Sequence, residues 1–394
     1  MKTKRIIRNI FALWILASLV LLSACDKSKD STTPSADNSQ SASDSARTLQ
    51  DCGVIHEQEF GGIYIKTTID DFNALGYHYG DSVDVVFSNG YTLNDIPYYN
   101  GFYSQVGEPI LIAYPGYDYI KAVISYGDDL WKVAELNDND TATVSLAQAG
   151  KFSDIQAARD MSYEDEREAY DSDEEFTNFR SINAGNIKEN MIYRSASPCD
   201  NQHNRASYVD KLMGDAGVNY IINLSDNEEK IAGYMAADDF NSPNFIQLYE
   251  SGNISPLALD ANYTSEEFRE GVAKALSDMV EQDGPFLIHC TEGKDRTGFV
   301  CMLIEALCGA SYDEIVADYM LSYDNYYHVN QTSHADKYEV IVREVLDPMI
   351  QAVVGDENVD IHTADLSGYA EKYLAGIGLS DDTIARLKEL FCSE

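Results

Sequence analysis

Between Pro285 and Gly298 an apolar run, Phe286 to Ile288, leads into His289 and Cys290, and Arg296 follows the cysteine with five residues between them. From Phe299 to Cys308 the chain is apolar again, with helical spacing. The pattern predicts a buried strand, a short loop and a buried helix, in that order. A loop of that kind aims backbone N–H groups into one concave site, and the helix dipole favours an anion there. A thiol held in such a field is readily ionised to the thiolate, and a guanidinium beside it can grip two oxygens of one anion. Thiolate, amide cradle and guanidinium together suit attack on a phosphate monoester. Gly293 lets the loop curve where a side chain would obstruct it, and Gly298 allows close packing of the helix on the strand. His289 stands where it can order the loop from behind, and the Thr297 hydroxyl stands where it can donate to the departing thiolate.

The run His289-Cys290-x-x-Gly293-Lys294-Asp295-Arg296-Thr297-Gly298 resembles the signature loop of the cysteine-based protein tyrosine phosphatase superfamily. Its Lys294-Asp295 pair resembles the bacterial secreted branch of atypical tyrosine and lipid phosphatases. The resemblance extends over most of 176–394. Asn178 to Arg180 and Tyr193 to Ser195 are similar to the family's leading segment, and Ser311 to Tyr319 and Tyr373 to Leu390 to its helical end. Where the family carries Asp-Leu-Arg at a strand end, this chain has Asn223, Leu224 and Ser225, so that arginine is absent. The resemblance implies an α/β phosphatase domain, a central sheet flanked by helices. Cys290 would then attack phosphorus, Arg296 would hold two equatorial oxygens, and the amides of Thr291 to Arg296 would complete the cradle.

A leaving oxygen needs a proton from a carboxyl group within hydrogen-bond reach. In the resembling branch the acid is the Asp inside the loop, here Asp295. Other superfamily members place it about thirty residues earlier, where this chain has Asp260 without the usual Trp-Pro companion. Asp226 and Glu228 are further candidates. Lys294 adds positive charge at the rim, which in the resembling branch accompanies work on phosphoinositides. Glu292 adds negative charge two residues after the nucleophile and would repel a second phosphate. The balance favours phosphotyrosine or a small phosphate monoester. A phosphoinositide or inositol phosphate phosphatase is the alternative, as is a binding lipoprotein with a silent phosphatase domain. No cofactor is called for, and no Cys or His spacing suggests a metal.

The chain of 394 residues carries 28 basic and 66 acidic residues, a formal net charge of −38. That charge argues against nucleic acid and against electrostatic adhesion to anionic lipid. Lys2, Lys4, Arg5 and Arg8 precede an apolar core, Ile10 to Leu22, too short to span a bilayer comfortably. Leu22-Ser23-Ala24-Cys25 resembles a bacterial lipobox, which predicts a signal peptide over 1–24, lipid on Cys25 and an extracytoplasmic, membrane-anchored bacterial protein. Residues 25–49, rich in Ser, Asp and Thr, read as a disordered tether.

Alternating runs at Ser82–Phe87, Pro109–Tyr114, Tyr119–Tyr126 and Thr141–Leu146, with turn residues between them, predict a small all-β barrel or sandwich over 50–150. Aromatics crowd it, among them Tyr98, Tyr99, Phe102, Tyr103 and Tyr114, either as strand packing or as a ligand surface. Nine acidic residues between Asp160 and Glu175 read as part of a charged linker over 151–175. Beyond it, Val218–Leu224, Phe245–Tyr249 and Pro285–His289 are expected as strands. Helices are expected over 311–325, 333–352, 366–376 and 380–391, and another after a Thr264–Glu267 capping box. Cys301 and Cys308 read as small core residues. Cys52, Cys199 and Cys392 sit in less apolar surroundings, and a disulfide among them stays open.

Overall fold

In the computed structural model, which describes residues 47–393, the N-terminal third is built from strands β1 (Thr48–His56), β2 (Ile63–Ile65), β3 (Ser82–Phe87), β4 (Thr92–Tyr99), β5 (Pro109–Ile112), β6 (Ile120–Ile124) and β7 (Thr141–Gln148). They close into a barrel in the order β1-β2-β6-β5-β4-β3-β7. Alternation fixes which side is in: Val83, Val85 and Phe87 of β3 are buried, whereas Val86 is exposed. The expected signal peptide and Cys25 lie outside the described residues. Pairing of Leu49 with Val144 makes the last residues of the expected tether part of the barrel.

The second sheet contains β8 (Arg180–Ser181), β9 (Ile192–Ser195), β10 (Tyr220–Asn223), β11 (Ile254–Pro256) and β12 (Phe286–His289), in the order β11-β10-β12-β9-β8. From β9 to β11 all neighbours are parallel, and β8 is an antiparallel edge. Ile222 and Ile288 face a core shared with the helices Glu266–Met279 and Asp295–Leu307, while Ile221 and Leu287 face the opposite one under Ala206–Asp215 and Pro243–Glu250. His289 lies opposite both Ser195 and Asn223, and Asn223 opposite Pro256. The loops after four parallel strands therefore converge on one edge, where ligands of open α/β sheets bind.

Several expectations need correction. Phe245–Tyr249 is not a strand but part of the helix Pro243–Glu250. Pro243 suits a first helical turn, and Phe245 and Leu248 come round to the same core at helical spacing. The cap of Glu266–Met279 is Ser265, whose hydroxyl accepts from Phe268 N, and not Thr264. The long helix expected over 333–352 is interrupted at Val342–Leu346 by a π-helical turn just before Pro348; a proline lacks the N–H that would continue the ladder. Residues 151–175 are not a free linker. The helix Ser153–Arg159 packs on Ala335–Ile341. The acidic stretch is gathered by the buried Arg205, which donates to Asp165 (3.0 Å) and to the Glu164 carbonyl (2.9 Å) and lies over the Tyr163 ring at 4.7 Å. Cys308 is no mere core filler. It ends the helix Asp295–Leu307 and forms a disulfide with Cys392.

Candidate active site

Cys290 follows β12 directly and is 3% exposed. The five residues from Cys290 to Lys294 turn the chain into the helix Asp295–Leu307. Every carbonyl of that turn is held from behind. His289 Nδ1 donates to the Cys290 oxygen at 3.2 Å and Ser197 N to that of Thr291 at 3.1 Å. The Glu292 oxygen accepts from Tyr326 Oη at 2.8 Å, that of Gly293 from Arg194 Nη2 at 2.8 Å and Asn178 Nδ2 at 3.2 Å, and that of Lys294 from Gly298 N at 2.8 Å. With the oxygens turned outward, the amides of Thr291 through Lys294 donate to no other protein group among the described residues. Such a row of free N–H groups at a helix N-terminus is an anion cradle. Gly293 has a φ of +66°, and a Cβ there would lie 2.1 Å from the Ser195 carbonyl oxygen, so no side chain fits. Gly298 meets a helix rather than a strand: its Cβ would lie 2.6 Å from the Tyr319 ring.

One of the residues that tie the carbonyls back, Arg194, belongs to a largely buried ionic group. Arg194, 1% exposed, pairs with Asp318, and Arg180 Nε donates to the same carboxylate at 2.8 Å. Burial alone would raise Asp318, but Arg180 and Arg194 overcome it and hold the carboxyl well below the usual range. Burial and that neighbouring carboxylate push Glu305 well above its usual range. Arg180 and Arg194 belong to the segments that carry the family resemblance, but their partners lie far along the chain. Nothing local in the sequence signals the pairing with Asp318.

Arg296 donates from Nη1 to the Leu259 carbonyl at 2.8 Å and from Nη2 towards Thr291 Oγ1 at 3.4 Å. It thereby ties the segment after β11 to the loop. Asp260, next to Leu259, is exposed, and its carboxylate accepts from Asn262 N. Asp295 opens the helix, with its side chain 46% exposed and 3.8 Å from Lys294 Nζ. Asp226 is buried and accepts from Ser225 Oγ and Tyr234 Oη, while Glu228 is exposed in the first turn of the next helix. Burial pushes the His289 imidazole down to about 4, against the pull of Asp226, so a neutral ring donates to the Cys290 carbonyl. The Thr297 hydroxyl is fully buried without a protein partner among the described residues.

Glu292 and Lys294 do not act as free rim charges. Lys294 Nζ lies 3.0 Å from Glu292, donates to Tyr327 Oη at 3.2 Å, and sits over the rings of Tyr323 and Tyr327. Glu292 also accepts from Tyr163 Oη at 2.9 Å. Despite burial, these partners hold its carboxyl below the usual range. Tyr163, in the acidic stretch, thus braces the loop, and no local motif announces it. Among the described residues no group of three or more His, Cys, Asp or Glu converges closely enough to hold a metal ion.

The barrel reaches this edge. A cleft of about 680 Å³ is lined on one side by Glu292, Lys294, Tyr323 and Tyr327 and on the other by Phe102, Tyr103, Tyr114, Tyr126 and Arg159. Asn262 Nδ2 donates to the Tyr126 carbonyl at 2.7 Å, which fixes that turn of the barrel beside Asp260. The aromatic run of the barrel therefore divides. Tyr98 and Tyr99 are buried packing, whereas Phe102, Tyr103 and Tyr114 face the cleft.

A cysteine at the carboxyl end of a central parallel strand, an amide cradle and an arginine in the first turn of the next helix define the cysteine-based phosphatase class. The tyrosine phosphatase family matches residues 174–393, more than half of the chain, and the chain belongs to that family. It is similar to the triple specificity protein phosphatase PtpB of Mycobacterium tuberculosis, 41% identical over 86 residues that cover 19% of this chain and 31% of the relative. It is also similar to a tyrosine-protein phosphatase of Nostoc commune, 35% identical over 117 residues, 27% of this chain and 39% of that relative. The chain thus matches 31% and 39% of the lengths of these two relatives, well under half of either. A solved structure, the core catalytic domain of the PP-IP phosphatase SIW14 from S. cerevisiae with citrate, aligns over 46% of this chain and 93% of its own, at 21% identity and a TM-score of 0.27.

Proposed function

We propose that the protein is a phosphoric monoester hydrolase of the secreted bacterial branch, acting on phosphotyrosine through a cysteinyl-phosphate intermediate. The observation that carries this reading is the loop from Cys290 to Lys294, whose five carbonyls are all held outward while its amides stay free beside Cys290 and Arg296. The Cys290 thiolate attacks phosphorus, the ester P–O bond breaks, and the leaving oxygen takes the proton of Asp295. Water then attacks the phosphocysteine, giving its proton to the Asp295 carboxylate, and the S–P bond breaks to release phosphate. Arg296 and the amides hold the non-bridging oxygens throughout. Asp260 is the competing acid.

Two observations support phosphotyrosine over a polyphosphorylated lipid. Aromatic side chains wall the cleft, and Lys294 is already neutralised by Glu292. One relative is named as triple specificity, so the test spans three substrate classes: phosphotyrosyl peptide, phosphoseryl peptide and phosphoinositide, each with a chelator present. Fastest turnover of the phosphotyrosyl peptide, lost in Cys290→Ser, is expected; a phosphoinositide turned over faster would overturn the preference.

The location belongs to the same proposal: lipid on Cys25 and an extracytoplasmic site. The Cys308–Cys392 disulfide supports it, because such bonds persist in oxidising compartments. Fatty-acid labelling should mark the wild type and not Cys25→Ala, and equal labelling of both would refute the anchor.

A further inference from the structure

Arg159 closes the helix Ser153–Arg159, which follows the barrel, and its guanidinium reaches the cleft that Glu292 and Lys294 line. It lies over the Tyr103 ring at 5.5 Å. Lys294, across the cleft, is neutralised by Glu292, and Arg205 behind the loop by Asp165. The Arg159 guanidinium has no ion pair and no hydrogen bond among the described residues, although the residue's carbonyl accepts from Met161 N at 3.0 Å. Burial would lower this guanidinium, but the Tyr323 hydroxyl and the Asp295 carboxylate raise it, so its charge is kept inside the cleft rather than lost. A half-buried cation without a partner carries a desolvation cost that an incoming anion relieves. The walls around it are aromatic: Tyr103, Tyr114 and Tyr126, the last two 44% and 48% exposed.

We propose that Arg159, with these aromatic walls, forms a second binding subsite that takes the carboxylate of an acidic residue next to the phosphotyrosine of a peptide substrate. The barrel is then part of the substrate site and not a spacer. The charge count decides the ligand class. Of the two cations that line the cleft, Lys294 is paired with Glu292 and Arg159 alone is unpaired; a single guanidinium fits one carboxylate and disfavours several phosphates. The aromatic walls suit the ring and backbone of a peptide laid across them. A second, larger groove shares Phe102, Tyr114 and Tyr126 and runs past Asp260 and Asn262, which gives an extended peptide a path out of the cleft.

The inference rests on the phosphotyrosine reading, and the experiment separates the two. Paired phosphotyrosyl peptides, with Glu or Gln beside the phosphotyrosine, are compared by kcat/KM in the wild-type protein, Arg159→Gln and Arg159→Lys. The wild type should prefer the Glu peptide by about tenfold or more. Arg159→Gln should bring that ratio to about one, and Arg159→Lys should restore part of it. The loss should appear in KM, and the ratio should fall with added salt. A wild-type ratio near one, or a preference unchanged in Arg159→Gln, overturns the subsite while leaving the phosphatase reading intact. Absence of turnover on both peptides overturns both.

Discussion

At the residue scale the candidate catalytic loop is legible because its chemistry is contiguous. Cys290, Gly293 and Arg296 sit within one short run, and each has a role that its type alone suggests. Gly293 illustrates how far that goes. A glycine in the loop indicates curvature, but only the fold shows that the obstacle is the Ser195 carbonyl. Lys294 and Glu292 illustrate where it stops. Read singly they are opposing rim charges, whereas in the structure they neutralise each other under Tyr163. The acid is the residue-scale question with the sharpest test. Asp295 shares the loop with Arg296, while Asp260 is carried by the segment that Arg296 holds through Leu259. A good leaving group needs no proton and a poor one does. Asp295→Asn should therefore slow hydrolysis of an alkyl or phenyl phosphate by about 10²- to 10⁴-fold, and of an activated aryl phosphate far less. If Asp260→Asn shows that pattern and Asp295→Asn slows all substrates alike, Asp295 only orders the loop.

At the element scale, the strand β12, the helix after it and β10 are readable from apolar runs, and β3 from its alternation. The supports of the loop are not, because they join residues about a hundred positions apart, such as Arg194 with Gly293 and Asn178 with Glu292. Phe245–Tyr249 misleads for a simpler reason: a short apolar run has no period of its own until its neighbours are known. The buried group of Arg180, Arg194, Asp318 and Glu305 makes a pH prediction. The folded-state pKa of Glu305 is raised. Above about pH 4.3 the unfolded chain releases this proton while the folded protein keeps it, so stability falls as pH rises from there towards the folded value. Glu305→Gln keeps a neutral hydrogen-bonding group and has no proton to lose. Denaturant unfolding should show the variant gaining on the wild type between about pH 5 and 7. A constant difference across that window would mean that Glu305 is ionised in the fold.

At the scale of the whole molecule, a barrel and an α/β phosphatase region meet at one cleft, and the disulfide closes the second of these. The alternation of the barrel strands is visible in the sequence, but nothing in it says that the barrel's aromatics line the same cleft as Lys294. The partner of Cys392 was equally hidden, since Cys308 lies in an apolar helix and reads as packing. The bond spans a sequence separation of 84 residues, and its loss should cost about 2–5 kcal/mol. Cys308→Ala/Cys392→Ala should lower Tm, and a reductant should lower the wild type's Tm towards the variant's; a reductant effect of equal size in both proteins would show that this bond is not its source. The central claim is that Cys290 carries the phosphoryl group during turnover. It is tested most directly by rapid acid quench during hydrolysis of an activated aryl phosphate with a chelator present, followed by mass spectrometry of the peptide that contains Cys290. The account predicts phosphate on the Cys290 sulfur of the wild-type protein and no turnover in Cys290→Ser. Turnover in Cys290→Ser, or phosphate found on another residue, would contradict it.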